Sequence, residues 1–387
     1  MISLPPPSSE AQAHSERLTE VLKQVIQQHG WISFAEFMHR ALYEPGLGYY
    51  VSGSRKLGAE GDFITAPEIS SAFSECLALQ CQQVFDALDT RLILEFGAGS
   101  GAMAADILLT LEKNQQLPQS YYILEVSPDF QERQRQTLQE KCVHLLPLVS
   151  WLSELPKAFE GVVLANEVLD AMPVHCFEVQ NGKKFERGVV SCGENFMWKT
   201  RLDPSLCWDD SSKGNDSLLL MDDGYVSEVC FAIKHWLKAL YASMKRGVVL
   251  LIDYGFPEHE YYHPDRYQGT LMCHYRHHAH ADPFIYLGLQ DITAHVDFSA
   301  VARAADRCGF EVAGYTNQAN FLMALGILSN THHDLLNTRQ QYTHAQAIKK
   351  LLLPSEMGEL FKVIALAKKI KTPLLGFQLR NEIGRLY

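Results

Sequence analysis

The sequence has no basic excess, no Cys-x-x-Cys pair and no apolar stretch near the ~20 residues that a bilayer-crossing helix requires. Each absence excludes a class of function. The 45 acidic residues outnumber the 34 basic ones, for a net charge of −11. Nucleic-acid binding, which normally shows as a basic domain or stripe, is disfavoured, whereas a cationic protein substrate is tolerated. The nine cysteines are odd in number and scattered from Cys76 to Cys308. Free thiols in a reducing compartment are expected, rather than a disulfide framework or a zinc ribbon. The opening Met1-Ile2-Ser3-Leu4-Pro5-Pro6-Pro7 has neither the basic nor the apolar region of a secretory signal, so a cytoplasmic location without membrane insertion is expected.

What is present is ordinary globular composition, 47% hydrophobic and 20% charged, over 387 residues. That length exceeds one average domain. Helical periodicity is expected over Ala13 to Gln28, stopped by His29-Gly30, and again over Ser33 to Leu42. From Arg91 the pattern alternates strand and helix. Strands are expected at Leu92 to Phe96, Tyr121 to Val126, Cys142 to Val149, Gly161 to Ala165, Val248 to Tyr254 and Phe310 to Tyr315. The helices between are expected at Ala102 to Leu111, Pro128 to Gln139, Val226 to Met244 and Ala319 to Leu328. This order implies α/β architecture, with a parallel sheet covered on both faces. Asn181-Gly182 and Gly193-Glu194-Asn195 between alternating apolar runs mark an antiparallel meander over His175 to Arg201, followed by an acidic loop at Asp209 to Asp216. The expected divisions are 1–60, an N-terminal helical and loop extension; 61–174, the first part of the sheet core; 175–220, the meander insertion; 221–330, the second part of the core; and 331–387, a helix and the last core strand.

The strongest chemical signal is Leu92-Ile93-Leu94-Glu95-Phe96-Gly97-Ala98-Gly99-Ser100-Gly101, a strand ending in an acid and a Gly-x-Gly-x-Gly turn before a helix. Each missing Cβ lets the backbone turn sharply and lie against a ligand at the carboxyl edge of the sheet. Gly97-x-Gly99-x-x-Ala102 also satisfies a loose dinucleotide fingerprint. Glu125, ending the next strand, suits the ribose hydroxyls of NAD and of S-adenosylmethionine alike. Glu95 favours the latter, because a pyrophosphate is repelled by a neighbouring carboxylate while the ammonium of the methionine moiety is attracted. Upstream, Gly61-Asp62-Phe63-Ile64-Thr65-Ala66-Pro67-Glu68 precedes a long helix. It reads either as helix punctuation, with Thr65 and Glu68 as a capping box, or as a loop whose helix N–H groups hold an anionic part of the ligand.

Asn166, Glu167 and Asp170 follow the fourth strand, where polar groups face the ligand crevice. On a helical turn Glu167 and Asp170 would lie on one side and clamp a guanidinium or ammonium group; the plainer alternative is an Asn166 N-cap with acids in the first turn. Six histidines, His259, His263, His274, His277, His278 and His280, crowd one stretch. Their spacing matches no standard zinc motif, so a solvated or substrate-facing loop without metal is expected. Asp291 to Ser299 has the look of a helix start, with Asp297 or Ser299 as cap.

Together these blocks resemble the S-adenosylmethionine-dependent methyltransferases that include bacterial MidA-like proteins and the mitochondrial complex I assembly-factor arginine methyltransferase. The matching pieces are Gly48-Tyr49-Tyr50, Gly61 to Thr65 with Pro67 to Ser70, Glu95 to Gly101, Leu124-Glu125-Val126-Ser127, Asn166-Glu167 with Asp170 and Pro173-Val174-His175, Asp253-Tyr254-Gly255, and Asp291 to Ser299. The resemblance implies a class I, Rossmann-like core of seven strands and S-adenosylmethionine as cofactor, with S-adenosylhomocysteine as product. For the mitochondrial member it implies dimethylation of an arginine on a complex I core subunit. Lacking an Arg-rich amphipathic leader, the chain looks like a bacterial cytoplasmic relative. The expected cofactor-binding set is Tyr49, Gly61, Asp62, Phe63, Thr65, Pro67, Glu95, Gly97, Ala98, Gly99, Gly101, Glu125, Val126, Trp151 and Asn166. Tyr49, Tyr50, Phe63 and Tyr254 are candidates to wall the sulfonium, and Trp151 to pack on adenine or in the core. Glu167 and Asp170 are the expected catalytic pair. The competing expectations are an NAD-linked oxidoreductase and a non-catalytic assembly chaperone that retains the fold.

Overall fold

The apolar runs that lie between turn signals become neighbouring strands, as burial of both their faces demands. This is seen in a computed structural model of the chain, which describes residues 4–52, 64–203, 206, 208, 221–329 and 338–387. Contacts divide the chain into two units: Met1–Phe63 with Asp170–Ile233 and Pro257–Ala300, and Ile64–Leu169 with Lys234–Phe256 and Val301–Tyr387.

In the second unit seven strands follow one path, in the order Glu311–Asn317, Phe361–Lys368, Met244–Phe256, Phe159–Asn166, Leu92–Phe96, Ser120–Leu124 and Val149–Leu152. The last five are mutually parallel, and Phe361–Lys368 runs antiparallel to both of its neighbours. The registers Phe96↔Leu124, Phe96↔Ala165 and Ile252↔Asn166 bring four strand ends to one carboxyl edge. Val162, Leu164, Leu250 and Ile252 of the central strands are buried with Leu77 and Cys81 of the helix Ser71–Phe85 and Ile107 and Leu108 of the helix Ala102–Lys113. Each such side chain taken from water contributes about 1.5–3 kcal/mol, which makes this edge a stiff platform. The α/β, Rossmann-like expectation holds.

Several local expectations are corrected. Val143–Leu148 forms a 3-10 helix rather than a strand, because Pro147 cannot donate to a ladder, and the strand is Val149–Leu152. The stretch expected to be helical from Val226 opens with a strand, Val226–Val229, and the helix is Ala232–Ser243. Thr65 is an N-cap without a side-chain bond, and its short helix Ala66–Ile69 gives way to a second helix capped by Ser70, so no capping box forms.

The first unit holds an antiparallel sheet in the order Ile32–Ser33, Lys183–Cys192, His175–Gln180, Val226–Val229, with Asn195–Arg201 added to Lys183–Cys192. Asn181 and Gly182 both have positive φ, 52° and 67°, as a tight two-residue hairpin turn requires. Leu18 and Leu22 of the helix Ser9–His29, Phe34 and Phe37 of the helix Phe34–Tyr43, and Cys176 and Val189 of the meander share one core. The histidine-rich stretch is not wholly a loop: Met272–Tyr275 pairs with His278–His280 through a turn in which Arg276 and His277 have positive φ. Asp297 accepts the Ala300 N–H, as a cap should. The acidic loop expected at Asp209 to Asp216 lies outside the described residues. Among the described residues no helix is long and apolar enough to cross a membrane.

Candidate active site

Gly97, Gly99 and Gly101 have φ of 57°, 53° and 86°, left-handed values that explain the alternation of glycine in the turn. The turn is braced on two sides. Ser100 Oγ donates to Glu68 Oε1 and accepts from Ala102 N at 3.3 Å. On the other side Gln134 Nε2 donates to the Gly99 carbonyl at 3.1 Å, and a Cβ on Gly101 would lie 2.9 Å from Gln134 Cα. Gly101 N–H donates to Ala98 O at 2.8 Å and Ala98 is buried, so the turn is a fixed surface.

Two carboxylates stand beside it. Glu95 is 1% exposed, and Tyr121 Oη donates to its Oε2 at 2.6 Å. Burial pushes this carboxyl up to about 7, against the pull of the tyrosine hydrogen bond and with a further push from the Glu125 charge. Glu125 also lies above the usual carboxylate range through burial, but Ser127 N–H, Gln134 and Val126 N–H draw it back. Its Oε1 accepts from Ser127 N at 2.9 Å and its Oε2 from Gln134 Nε2 at 3.0 Å. A carboxylate has about four lone-pair sites, so acceptor capacity remains beyond the donors that the protein supplies. Next to it the apolar side chain of Val126 is 66% exposed. Trp151 Nε1 donates to Gln134 Oε1 at 2.9 Å, and the Arg135 guanidinium lies 4.4 Å from its ring centroid, so one face of the indole is covered.

The chain leaves Phe159–Asn166 without forming the helical turn on which the Glu167/Asp170 pairing was expected. Glu167 has φ of +53°, in the left-handed region. Its N–H donates to Ile252 O at 2.9 Å, and Leu169 N–H donates to Asp253 Oδ2 at 2.9 Å. Asp253, 1% exposed, thus braces the segment. Asn166 Nδ2 donates to Glu167 Oε1 at 3.1 Å, while Asn166 Oδ1 is buried without a hydrogen-bond partner among the described residues. A Cβ on Gly97 would sit 3.5 Å from Val168, so this segment and the glycine turn line the same edge.

In the first unit, Tyr49 is buried in the apolar core, edge-on to Tyr50. Tyr50 Oη donates to Oδ1 and Oδ2 of Asp291, each at 3.0 Å, and its own pKa rises well above the usual value through burial and the Asp291 charge. Asp170 is 6% exposed, with its carbonyl bonded to Ala294 N at 3.0 Å. In the second unit, Tyr254 packs edge-on to Phe361, and Thr65 and Pro67 frame the short helix before Ser70. Gly61, Asp62 and Phe63 lie outside the described residues. Glu68, Tyr121, Gln134 and Asp253 were not picked out in the sequence as site residues. No group of three or more His, Cys, Asp or Glu side chains able to hold a metal occurs among the described residues.

Residues 76–316 match the family described as "Putative S-adenosyl-L-methionine-dependent methyltransferase". The chain belongs to this family. The protein arginine methyltransferase NDUFAF7 of Danio rerio is 30% identical over 86% of this chain and 82% of its own length; that of Bos taurus is 30% identical over 92% and 85%. A Burkholderia thailandensis protein crystallised with S-adenosyl-homocysteine is 42% identical, covers 99% of this chain and 100% of its own, and superposes with a TM-score of 0.91. The choice between S-adenosylmethionine and NAD is thereby decided for S-adenosylmethionine, and the chain is a methyltransferase. The geometry fits that cofactor: a glycine-rich turn in the left-handed region, a carboxylate with acceptor capacity beyond its protein donors, and an exposed apolar residue beside it.

Valine at Gly99 would force a β-branched residue into the left-handed region on the surface that meets the ligand. Gly99→Val is expected to weaken S-adenosylhomocysteine binding by roughly 100-fold, about 2.7 kcal/mol, with an unchanged far-UV circular dichroism spectrum. Unaltered affinity by titration calorimetry would refute the assignment of this turn.

Proposed function

We propose that this methyltransferase N-methylates an arginine side chain of a protein substrate, with Glu167 receiving the guanidinium. The observation that carries the reading is Glu167 itself, a charged residue in a strained backbone conformation at the carboxyl edge, held by the Ile252 carbonyl and by Asn166. Non-glycine residues persist there where surrounding contacts over-determine them, commonly at functional sites. Asp170, three residues on, is kept in the same role as proposed from the family resemblance, without the helical turn expected to align the two carboxylates. The naming of the Danio rerio and Bos taurus relatives as protein arginine methyltransferases supports the substrate class. A complex I core subunit or its bacterial counterpart is the proposed target, and the cytoplasm the proposed location.

In this reading Gly97, Ala98, Gly99 and Gly101 lie against the methionine moiety, Glu95 faces its ammonium, Glu125 takes the ribose hydroxyls, and Val126 with Trp151 borders the adenine. Asn166 presents its buried acceptor to the ligand. Gly61, Asp62, Phe63, Thr65, Pro67 and Tyr49 complete the set as proposed from the sequence. When bound, the cofactor supplies a methyl group on a sulfonium. Glu167 accepts hydrogen bonds from the guanidinium, fixes its plane, and stabilises the positive charge that grows as one nitrogen is alkylated, before a proton leaves to solvent.

Glu167→Gln is expected to lower methyl transfer roughly 100-fold while leaving cofactor affinity within about threefold. Tritiated-methyl transfer at the parental rate would remove Glu167 from this role. Mass spectrometry of the complex I subunit with and without the chain tests the target; a subunit that co-purifies but stays unmethylated would make the chain a binding chaperone.

Glu95 yields a second expectation. Its folded-state value of about 7 lies above the ordinary carboxylate value, so the folded chain holds the proton more tightly, and this group's contribution to stability is lost as pH rises from about 4.5 through about 7. An ammonium arriving beside it favours the ionised form. S-adenosylhomocysteine binding near pH 6.5 should therefore release protons, seen as a dependence of the calorimetric enthalpy on buffer ionisation enthalpy, and Glu95→Gln should abolish that dependence. Equal proton release by parent and variant would place the ammonium elsewhere.

A further inference from the structure

Gln134 lies on the helix Pro128–Cys142 and is 0% exposed, in line with the buried Phe130, Leu138 and Cys142 at four-residue spacing. A primary amide on an apolar stripe is costly unless its groups are satisfied. Here they are, and each bond runs to a different part of the cofactor edge. The two amide hydrogens serve the Gly99 carbonyl at 3.1 Å and Glu125 Oε2 at 3.0 Å, and the amide oxygen accepts from Trp151 Nε1 at 2.9 Å. An indole N–H only donates, so it fixes which end of the amide faces it and turns both hydrogens toward Gly99 and Glu125. The main chain of the same residue closes the space beside Gly101, where a Cβ would come within 2.9 Å of its Cα and 3.1 Å of its carbonyl oxygen.

We infer that Gln134 is a positioning residue for the methyl donor: through one oriented amide it locks the glycine turn and the Glu125 carboxylate into a single frame, so that the two meet the ligand in a fixed relation. The inference rests on the reading that Glu125 takes the ribose hydroxyls, and it goes beyond it by naming what sets that carboxylate. Ser127 N–H bonds Oε1 and Gln134 bonds Oε2, so each oxygen is held by a donor and the plane of the carboxylate is fixed. Besides bordering the adenine, Trp151 acts on the site through Gln134, whose amide it orients.

A purely structural amide and a positioning amide differ in what they do to Glu125. Burial raises the proton affinity of this carboxyl and Gln134 opposes that rise. The titratable group that feels its charge is Glu95, with its hydrogen-bond partner Tyr121; on the helix that carries Gln134, Arg135 lies over the Trp151 ring. All of these stay in place when Gln134 alone is changed. Without its donor, Glu125 holds its proton to higher pH and loses an acceptor there, so ligand affinity suffers most at low pH.

The test is S-adenosylhomocysteine binding to the full chain by calorimetry from pH 6 to 9, in the parent, Gln134→Met, Trp151→Phe and Glu125→Gln. Methionine keeps the volume and packing of glutamine but donates nothing. Gln134→Met should bind roughly tenfold or more weakly near pH 6, the size of a lost hydrogen bond to a charged group, and its ratio to the parent should narrow as pH rises. Taking the ratio removes the part of the Glu95 titration that both proteins share. Trp151→Phe should show the same narrowing with a smaller loss, and it decides the question if Gln134→Met does not fold. A loss that is constant across pH in both variants, or no loss, overturns the inference and leaves Gln134 a core amide. Unchanged affinity in Glu125→Gln overturns the ribose reading itself, an outcome separate from the first.

Discussion

Everything at the carboxyl edge depends on a backbone that L-residues with side chains rarely adopt. Three glycines in the left-handed region end the strand Leu92–Phe96 and start the helix Ala102–Lys113 within five residues. Such a turn has little stability of its own, since glycine gives up more chain entropy than any other residue on being fixed. It is held by what touches it from outside: Glu68 through the Ser100 hydroxyl, and Gln134 through the Gly99 carbonyl and the space beside Gly101. The seven-strand platform beneath supplies the rigidity, and the three glycines let the backbone turn sharply at its carboxyl edge.

Three carboxylates in the same unit show how environment assigns different work to one functional group. Glu95 is fully enclosed with a tyrosine hydroxyl, and carries a proton in part near neutrality. Glu125, almost as buried, is also pushed up by burial, but N–H donors that favour its ionised form draw it back. Glu167 is set by its backbone rather than by burial, with the Asn166 amide on one oxygen. Desolvation, hydrogen bonding and backbone constraint are separate levers, and the chain uses one on each.

Much of this was legible in the sequence. Gly97, Gly99 and Gly101 after an apolar strand admit few geometries, and Glu125 sits at a strand end where parallel sheets bind ligands. The seven strands followed from apolar runs, except where Pro147 broke one that hydropathy alone could not tell from a strand. The bracing residues were not legible, for a physical reason: Asp253, Glu68 and Gln134 act through contacts between segments distant in the chain. Glu68 looked like the partner of Thr65, three residues away, but its partner is Ser100. Gln134 did leave a trace, since Phe130, Gln134, Leu138 and Cys142 form one helical stripe in which a single polar residue interrupts the apolar spacing. The helical turn expected between Glu167 and Asp170 does not form, on local grounds: a left-handed residue cannot continue a helical turn.

The distribution of unfavourable features argues for the same edge from a different direction. Holding Glu95 with a value of about 7 in place of 4.5 costs the folded chain about 3 kcal/mol at neutral pH, and the left-handed Glu167 roughly another 1–2 kcal/mol. Neither feature helps the fold, because a leucine at the first position and a glycine at the second would relieve them. A domain is stable by only about 5–15 kcal/mol, so such costs persist where the arrangement serves something other than stability. Both lie where Phe96 and Asn166 end their strands, on either side of the glycine turn, and the braces Tyr121, Asp253 and Ile252 hold them there. Under the proposed function, a buried acid beside the ammonium of the cofactor and a carboxylate that receives the guanidinium account for both costs at once.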